Sequence, residues 1–408
     1  MHVVIVDTTF TTPPTGGAHT FLVDLSAALV GRGARVSIVS QPGPDQTIAR
    51  ALGESGAEVA MKLWQRRHLP EEKASRLANW VNQESPDAYV VSQSPDAGWL
   101  TLPLLDSSIA TFTIAHNDVG AFYEPLKHYH SFVDCAIGVS EAIHKIVREC
   151  GVPAERARHI PYGVQPVALE QLAERRSDLE RPLAIGYVGR IVQEQKRVMD
   201  FVPLVRELAK RNVPFQLQII GDGPDRSELE GQLKTTGVAE QVEFTGWLSP
   251  EKVKEKLRIL DVFLLLSDYE GLPVALLEAL AHGVVPVVTR IESGNTQLVR
   301  DGENGFVLPV GDMASFAARL ESLSSDRDAL AAFGRTAWET SQQYSIEKMA
   351  DNYTTAFTEV AQRVSTRHGR EGVGANYPVM NSCRSKYPFW LRRIKQRVVT
   401  LGFLSNDA

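Results

Sequence analysis

Two glutamates stand in the mostly apolar stretch SDYEGLPVALLEALAHG at residues 267–283. Glu270 lies in a glycine turn, whereas every residue from Leu272 to Leu280 other than Glu278 is apolar or proline. Because burying an unpaired carboxylate is costly, we expect Glu278 to accept hydrogen bonds from the protein or from a ligand. Sugar hydroxyls are donors of this kind.

The surrounding pattern predicts how the two glutamates are positioned. VFLLLS is typical of a buried strand and DYEG of the turn at its carboxyl end, while Pro273 suits the first helical position and Gly283 the C-terminal cap. The start of this helix, residues 271–274, offers free backbone N–H groups and a positive dipole end, which suit a phosphate. A phosphate beside hydroxyl groups describes a nucleotide sugar.

Composition limits the class of protein. A chain of 408 residues is long enough for two cores, and 43% hydrophobic with 23% charged residues is typical of a globular protein. The net charge of -6 gives no reason to expect nucleic-acid binding. Cys135, Cys150 and Cys383 form no CxxC pair, so the sequence suggests neither a disulfide framework nor a zinc site. This cysteine pattern fits a protein of the reducing cytoplasm. The opening MHVVIVD has no signal-peptide pattern, and no apolar run is long enough to span a bilayer.

Strand and helix patterns alternate twice along the chain. The first half has apolar strands at HVVIVD, ARVSIVS, AYVVSQ, IATFTIAH and CAIGVS; after a charged, proline-containing segment, the second has LAIGYVGR, FQLQIIGDG, VEFTGW, VFLLLS and VVPVVT. Helical stretches separate these strands, so each half is expected to form a parallel sheet covered on both faces. The sequence therefore predicts an α/β fold with two Rossmann-like doubly wound domains facing each other across a cleft, where ligands bind at the carboxyl ends of the strands.

The sequence resembles a known family, the retaining glycosyltransferases of family GT4, which have the GT-B architecture. The resemblance is carried by the Glu270 to Glu278 pair and by motifs in order along the chain: TGGAHTFLVDLSAAL, GVSEAI, IPYGV, GYVGRIVQEQKRVMDF, IIGDGPDRSELE, FTGWLS, GVVPVVT and VRDGENGFVLPVGD. It implies an acceptor domain at 1–168, a linker at 169–181, a nucleotide-sugar donor domain at 182–345 and a closing helix at 346–363 that returns to the first domain. Residues 364–408, read as a further linker with a basic aromatic tail, lie outside the resemblance.

The resemblance also implies roles for residues of the second domain. Glu278 would accept hydrogen bonds from the ribose hydroxyls and Glu270 from the transferred sugar. The diphosphate would lie against the backbone of the helix start, formed by Gly271, Leu272, Pro273 and Val274. Arg190 and Lys196 would hold the diphosphate leaving group and neutralise the charge it gains, so that neither a metal nor a cofactor is expected.

Further candidates are less specific. His116 would face the donor sugar from the first domain, with Asn117 and Asp118 as weaker candidates; the alternative is a structural core or loop histidine. Arg190 and Lys196 could instead be ordinary surface charges, and Lys196 and Arg197 could exchange roles. Three glycines complete the expected donor site: Gly16 and Gly17 in the first strand-to-helix loop, and Gly221, which could equally be structural.

Two positions depart from the common family pattern, and one motif points elsewhere. Tyr162 stands where asparagine is frequent, and Gln297 where glutamate is frequent. Asp326 and Asp328 form a DxD, the metal-binding signature of a different glycosyltransferase architecture, which we interpret here as part of a solvated helix face.

The function implied is transfer of a sugar from a nucleotide-diphosphate sugar to an acceptor hydroxyl, in glycan, glycolipid or glycoconjugate synthesis. The base (UDP, GDP or ADP) and the acceptor (saccharide, lipid-linked or small molecule) stay open. Two alternatives share the architecture: a sugar-nucleotide epimerase and a non-catalytic scaffold that binds nucleotide sugars. Residues 378–404 carry six basic residues and several aromatics, which fit either peripheral contact with an anionic membrane from the cytoplasmic side or packing on the second domain.

Overall fold

The computed structural model describes residues 1–8, 16–40, 47–60, 63–64, 68–94, 96–174 and 181–365. The first domain contains the strands β1 (His2–Val6), β2 (Arg35–Val39), β3 (Glu58–Ala60), β4 (Ala88–Val91), β5 (Ala110–Ala115), β6 (Cys135–Gly138) and β7 (Ala157–His159). Its helices are α1 (Gly17–Gly31), α2 (Thr47–Glu54), α3 (Pro70–Glu84), α4 (Ala97–Thr101), α5 (Glu124–Tyr129) and α6 (Glu141–Glu149).

The second domain follows α7 (Leu169–Glu174), which lies in the segment predicted as a linker. Its strands are β8 (Leu183–Val188), β9 (Phe215–Ile220), β10 (Val242–Gly246), β11 (Val262–Leu265), β12 (Val285–Thr289) and β13 (Phe306–Leu308). Its helices are α8 (Gln193–Lys196), α9 (Phe201–Lys210), α10 (Arg226–Leu233), α11 (Pro250–Leu257), α12 (Val274–Ala281), α13 (Gly294–Leu298), α14 (Met313–Ser325) and α15 (Arg327–Ser341), and α16 (Ile346–Ser365) closes the described chain.

Both sheets are parallel throughout, with orders β3-β2-β1-β4-β5-β6-β7 and β10-β9-β8-β11-β12-β13. The strand order reverses between β1 and β4 in the first sheet and between β8 and β11 in the second. Ligands of doubly wound domains bind at the carboxyl ends of the strands beside such a reversal. The loops after these four strands are therefore the ones that the fold offers for a binding site.

The cores explain why these segments become strands. All four residues of β4 and of β11 are buried, as expected for strands covered by helices on both faces. The ten strands expected from apolar runs are present. The three that the sequence did not indicate, β3, β7 and β13, have only three residues each, too short for a pattern to show.

Helix α16 packs on α1 and β5 of the first domain. Tyr353 and Phe357 of α16 are fully buried, and the ring of Phe357 meets that of Phe112 edge-on at a centroid distance of 4.9 Å. Arg32 of α1 forms an ion pair with Asp351 at 2.7 Å. The last described helix thus lies against the first domain.

One boundary differs from expectation by a residue. Pro273, expected as the first helical residue of α12, is the N-cap with extended backbone, and Val274 begins the helix. Gly283, with φ of 65°, follows the C-cap residue His282. Among the described helices none is long and apolar enough to cross a membrane, and the tail interpreted as a lipid or packing segment lies outside the described residues.

Candidate active site

Glu270 and Lys196 form the centre of the site. Because β8 and β11 are parallel neighbours, the loops that follow them end at the same edge of the sheet. Lys196 Nζ lies 2.5 Å from Glu270 Oε1, and both side chains are largely buried, with 14% and 7% exposed. The hydroxyl of Ser267 donates to the same oxygen at 2.6 Å. The structure therefore joins two of the predicted site residues in one buried ion pair.

Lys196 and Arg197 point in different directions. Arg197 adopts a left-handed backbone conformation with φ of 49°. Its guanidinium bonds Asp200 at 2.8 Å and lies 3.3 Å from Asp268. Lys196, not Arg197, is therefore the cation that reaches Glu270.

Arg190 lies at the exposed rim of the same loop. Its Nη2 donates to Gln195 Oε1 at 2.9 Å, and Gln195 Nε2 donates to the carbonyl of Tyr269 at 3.2 Å. The hydroxyl of Tyr187 donates to the Arg190 carbonyl at 2.6 Å. The guanidinium is thus braced on the loop that carries Glu270 while it keeps access to solvent.

The two domains touch at the turn before α12. A Cβ atom on Gly271 would lie 2.0 Å from the carbonyl oxygen of His116, so only glycine permits this approach. The Gly271 carbonyl accepts from the N–H of Gly294 at 2.8 Å. Within the described part of the chain, nothing accepts the backbone N–H groups of Gly271, Leu272 and Val274. These donors, with Pro273 between them, border the contact between the domains.

The rest of α12 follows from its sequence. Alanine, leucine and glutamate favour a helix, and six of its eight residues are buried. Glu278 is half-buried, and burial raises the pKa of its carboxyl group to about 7, with Lys254 opposing this and Asp24 adding to it. No described residue donates a hydrogen bond to the Glu278 carboxylate. The hydrogen bonds that the sequence predicts for this group are therefore not supplied by the described part of the protein.

His116 lies at the end of β5, held on both ring nitrogens. Its Nε2 is 2.9 Å from the hydroxyl of Ser92, and its Nδ1 is 2.6 Å from the hydroxyl of Tyr162. Burial, with a smaller contribution from His19, lowers the pKa of His116 to about 3, so the imidazole is neutral at physiological pH. Tyr162, the departure from the family pattern, is thus a direct partner of the predicted site histidine.

For the nucleotide-sugar donor that the sequence resemblance implies, we expect Tyr162→Phe to lower turnover about tenfold, because the loss of one hydrogen bond frees the His116 ring while the aromatic volume is kept. Release of the nucleoside diphosphate measures this. Tyr89→Phe is the matched control, since the buried Tyr89 hydroxyl donates to the Gly98 carbonyl at 3.0 Å away from this histidine. Equal losses in the two variants would show that the Tyr162 hydroxyl acts only on stability.

The three predicted glycines differ in their surroundings. Gly16 is the exposed N-cap of α1, with φ of 122°. A Cβ on Gly17 would lie 2.5 Å from Val274 Cγ2, which brings the start of α1 against the start of α12. Gly221 has φ of 141°, and a Cβ there would lie 1.9 Å from the Gly189 carbonyl oxygen. The close approach of two strand ends therefore accounts for Gly221 without a ligand.

Gln297, the second departure from the family pattern, also joins the domains. Its Oε1 accepts from the N–H of Glu141 at the start of α6 at 2.9 Å, and its Nε2 lies 3.4 Å from His159 Nε2. A glutamate could accept the first bond but would have no proton to donate to the histidine. An amide at this position therefore suits both contacts.

The DxD does not form part of the site. Asp326 caps α15 by accepting from the Ala329 N–H at 2.9 Å, and Asp328 is exposed in the first turn of that helix. Elsewhere in the described ranges no group of three or more histidine, cysteine or acidic side chains is arranged to hold a metal ion.

Comparisons with known proteins agree with this architecture. Residues 15–167 match the family described as Glycosyltransferase Family 4, and residues 170–340 the family described as Glycosyl transferases group 1. The lipopolysaccharide 1,6-galactosyltransferase of Salmonella typhimurium is 29% identical over 198 residues, which cover 48% of this chain and 54% of that protein. LpsE of Rhizobium meliloti, a lipopolysaccharide core biosynthesis glycosyltransferase, is 26% identical over 341 residues, 83% of this chain and 94% of that protein.

Structural similarity extends over both domains. The crystal structure of Anabaena HepE in complex with UDP and glucose superposes with a TM-score of 0.71 at 16% identity, and the superposition covers 87% of this chain and 99% of that one. The chain therefore belongs to the GT4-type GT-B glycosyltransferases. The fold class predicted from the sequence is confirmed.

Proposed function

We propose that this protein is a retaining glycosyltransferase that moves a sugar from a nucleotide-diphosphate sugar to an acceptor hydroxyl without a metal ion. One observation carries the proposal. The buried Lys196–Glu270 pair lies next to backbone N–H groups that no described residue accepts, at the place where the two domains meet. A sugar hydroxyl could bond the carboxylate while the adjoining phosphate meets the ammonium group and the N–H donors.

The chemistry follows from charge. As the glycosidic bond breaks, negative charge develops on the diphosphate, and preorganised donors in a site closed to water stabilise that charge strongly. Lys196 and Arg190 would supply the cations, and the N–H groups of Gly271, Leu272 and Val274 the dipoles. Glu278 would bind the ribose hydroxyls. The proposed mechanism uses neither the DxD of Asp326 and Asp328 nor a cluster of metal-binding side chains.

The first domain would position the acceptor. The His116 carbonyl lies against Gly271 across the domain contact. The neutral ring of His116 is held by the hydroxyls of Ser92 and Tyr162, so His116 would position this loop beside the acceptor rather than neutralise charge. In a retaining reaction of this kind the acceptor hydroxyl attacks from the face that the diphosphate leaves, and a phosphate oxygen takes its proton. A protein nucleophile is then unnecessary, and positioning carries much of the rate enhancement.

The relatives suggest the substrates. Two of them act, by name, in lipopolysaccharide synthesis, which favours a saccharide acceptor in the assembly of a bacterial surface polysaccharide. HepE was crystallised with UDP and glucose, which makes UDP-hexoses the first donors to examine.

The direct experiment incubates the protein with UDP-, GDP- and ADP-sugars and measures release of the nucleoside diphosphate, with and without EDTA. Saccharide acceptors are then added, and the anomeric configuration of the product is read from its NMR coupling constants. We expect one donor class, rates unchanged by EDTA, and a product with the configuration of the donor. An inverted product or a strict metal requirement would contradict the mechanism, and an epimerised nucleotide sugar would indicate the epimerase instead.

A further inference from the structure

Three charged side chains, from three helices of the two domains, interact electrostatically beside the proposed donor site. Asp24 lies on α1 of the first domain, while Glu278 on α12 and Lys254 on α11 belong to the second. Both α1 and α11 pack against α12. The two carboxylates interact electrostatically with each other, and each with Lys254.

Helix geometry explains why Asp24 faces Glu278. Gly17 of α1 lies against Val274 of α12, where a Cβ would come within 2.5 Å of Val274 Cγ2. Asp24 follows Gly17 by two helical turns and Glu278 follows Val274 by one, so each carboxylate is on the same helix face as the contact. The packing of α1 on α12 thus involves the two helix faces that carry the carboxylates.

In the part of the chain that the structure describes, neither carboxylate has a hydrogen-bond donor. Both side chains are half-buried, and across the described ranges neither accepts a hydrogen bond or forms an ion pair. Lys254 is exposed and acts on them without an ion pair. Burial raises the pKa of Asp24 to about 6, as it raises that of Glu278 to about 7. Two facing acids without donors are unfavourable unless protons or a ligand supply the hydrogen bonds.

We propose that Asp24 is a second ribose-binding residue, contributed by the first domain, and that the vicinal hydroxyls of the donor nucleotide are shared between Asp24 and Glu278. This inference rests on the proposed function. A diol carries two O–H donors side by side, which matches two carboxylates on facing helices. Because the carboxylates come from different domains, ribose binding favours the closed arrangement of the domains.

Calorimetry with nucleotides and their 2′,3′-dideoxy analogues tests the assignment. The ribose is common to UDP, GDP and ADP, so whichever binds the wild-type protein best is used. We expect Asp24→Ala to weaken binding of the ribonucleotide about 10- to 100-fold, as for a lost hydrogen bond to a charged group. The dideoxy analogue should bind this variant and the wild-type protein with equal affinity. Ala27→Asn, at an exposed position of the same helix, is the matched control and should leave both affinities unchanged.

Dependence on pH gives a readout that a merely structural role would not change. Lys254 and Asp24 are the charged groups that act on Glu278. Nucleotide affinity of the wild-type protein should fall as the pH drops below about 7, because Glu278 becomes protonated. In Asp24→Asn the like charge is absent, so the pKa of Glu278 falls and the loss should begin at lower pH. Titration of the nucleotide phosphate is common to both proteins and cancels in the comparison.

The outcomes separate the two proposals. Normal nucleotide affinity in Asp24→Ala, or an equal loss for the ribonucleotide and its dideoxy analogue, would overturn the role of Asp24 alone. An unshifted pH profile in Asp24→Asn would do the same. Failure of the wild-type protein to bind any of the three nucleotides would contradict the proposed function and this inference with it.

Discussion

Replacement of Lys196 by alanine should lower kcat/KM for the donor sugar about 1000-fold, the size of effect seen when one preorganised donor to a developing negative charge is removed. The variant loses the ammonium group that is proposed to meet the diphosphate and leaves Glu270 buried without its cation. An unpaired buried carboxylate repels the phosphate as well, so both changes act in the same direction.

Arg197→Ala is the matched control for this prediction. It removes the neighbouring cation of the same loop, whose guanidinium already forms ion pairs with Asp200 and Asp268. We expect its kcat/KM to stay within a few-fold of the wild-type value. Thermal melts of both variants separate loss of catalysis from loss of folding. A larger loss in Arg197→Ala than in Lys196→Ala would mean that the arginine, not the lysine, binds the diphosphate.

Gly271→Ala should reduce activity at least about 100-fold, because a displacement of about 1 Å in an active site can cost that much. The added methyl group would lie 2.0 Å from the His116 carbonyl oxygen and force the two domains apart at the reacting centre. Neither domain core is touched, so each sheet should keep its packing. The expected result is therefore a folded protein that turns over its donor very slowly.

The control is Gly231→Ala in α10, where a Cβ would have nothing within 4 Å. Alanine favours a helix over glycine, so this variant should be slightly stabilised and fully active. Donor turnover and the melting temperature are measured for both variants. Full activity in Gly271→Ala would contradict the close approach of the domains during the reaction.

The sequence was most informative where one segment determines its own structure. Buried runs such as VFLLLS predicted strands correctly because a strand covered on both faces must be apolar along its whole length. The parallel sheets followed from the alternation of strands with helices. The lone Glu278 in an apolar helix predicted hydrogen-bond donors from the protein or from a ligand, and the described residues supply none to its carboxylate.

Contacts between distant segments were not predictable from these patterns. Tyr162 and Ser92 reach His116 from loops 46 and 24 residues away along the chain. Gln297 reaches Glu141 across 156 residues. Such pairings depend on the order of strands in the sheets and on how the domains meet, which local periodicity does not record. Asp24 did leave a signal: it is the only carboxylate of α1, just as Glu278 is of α12.

A nucleotide is proposed to bind between the domains at the start of α12, and titration calorimetry with UDP, GDP and ADP tests this binding most directly because no acceptor is needed. We predict micromolar binding of one nucleotide, weakened at least tenfold in both Glu278→Ala and Arg190→Ala. Binding of none of the three, or binding that neither substitution weakens, would contradict the assignment of this site.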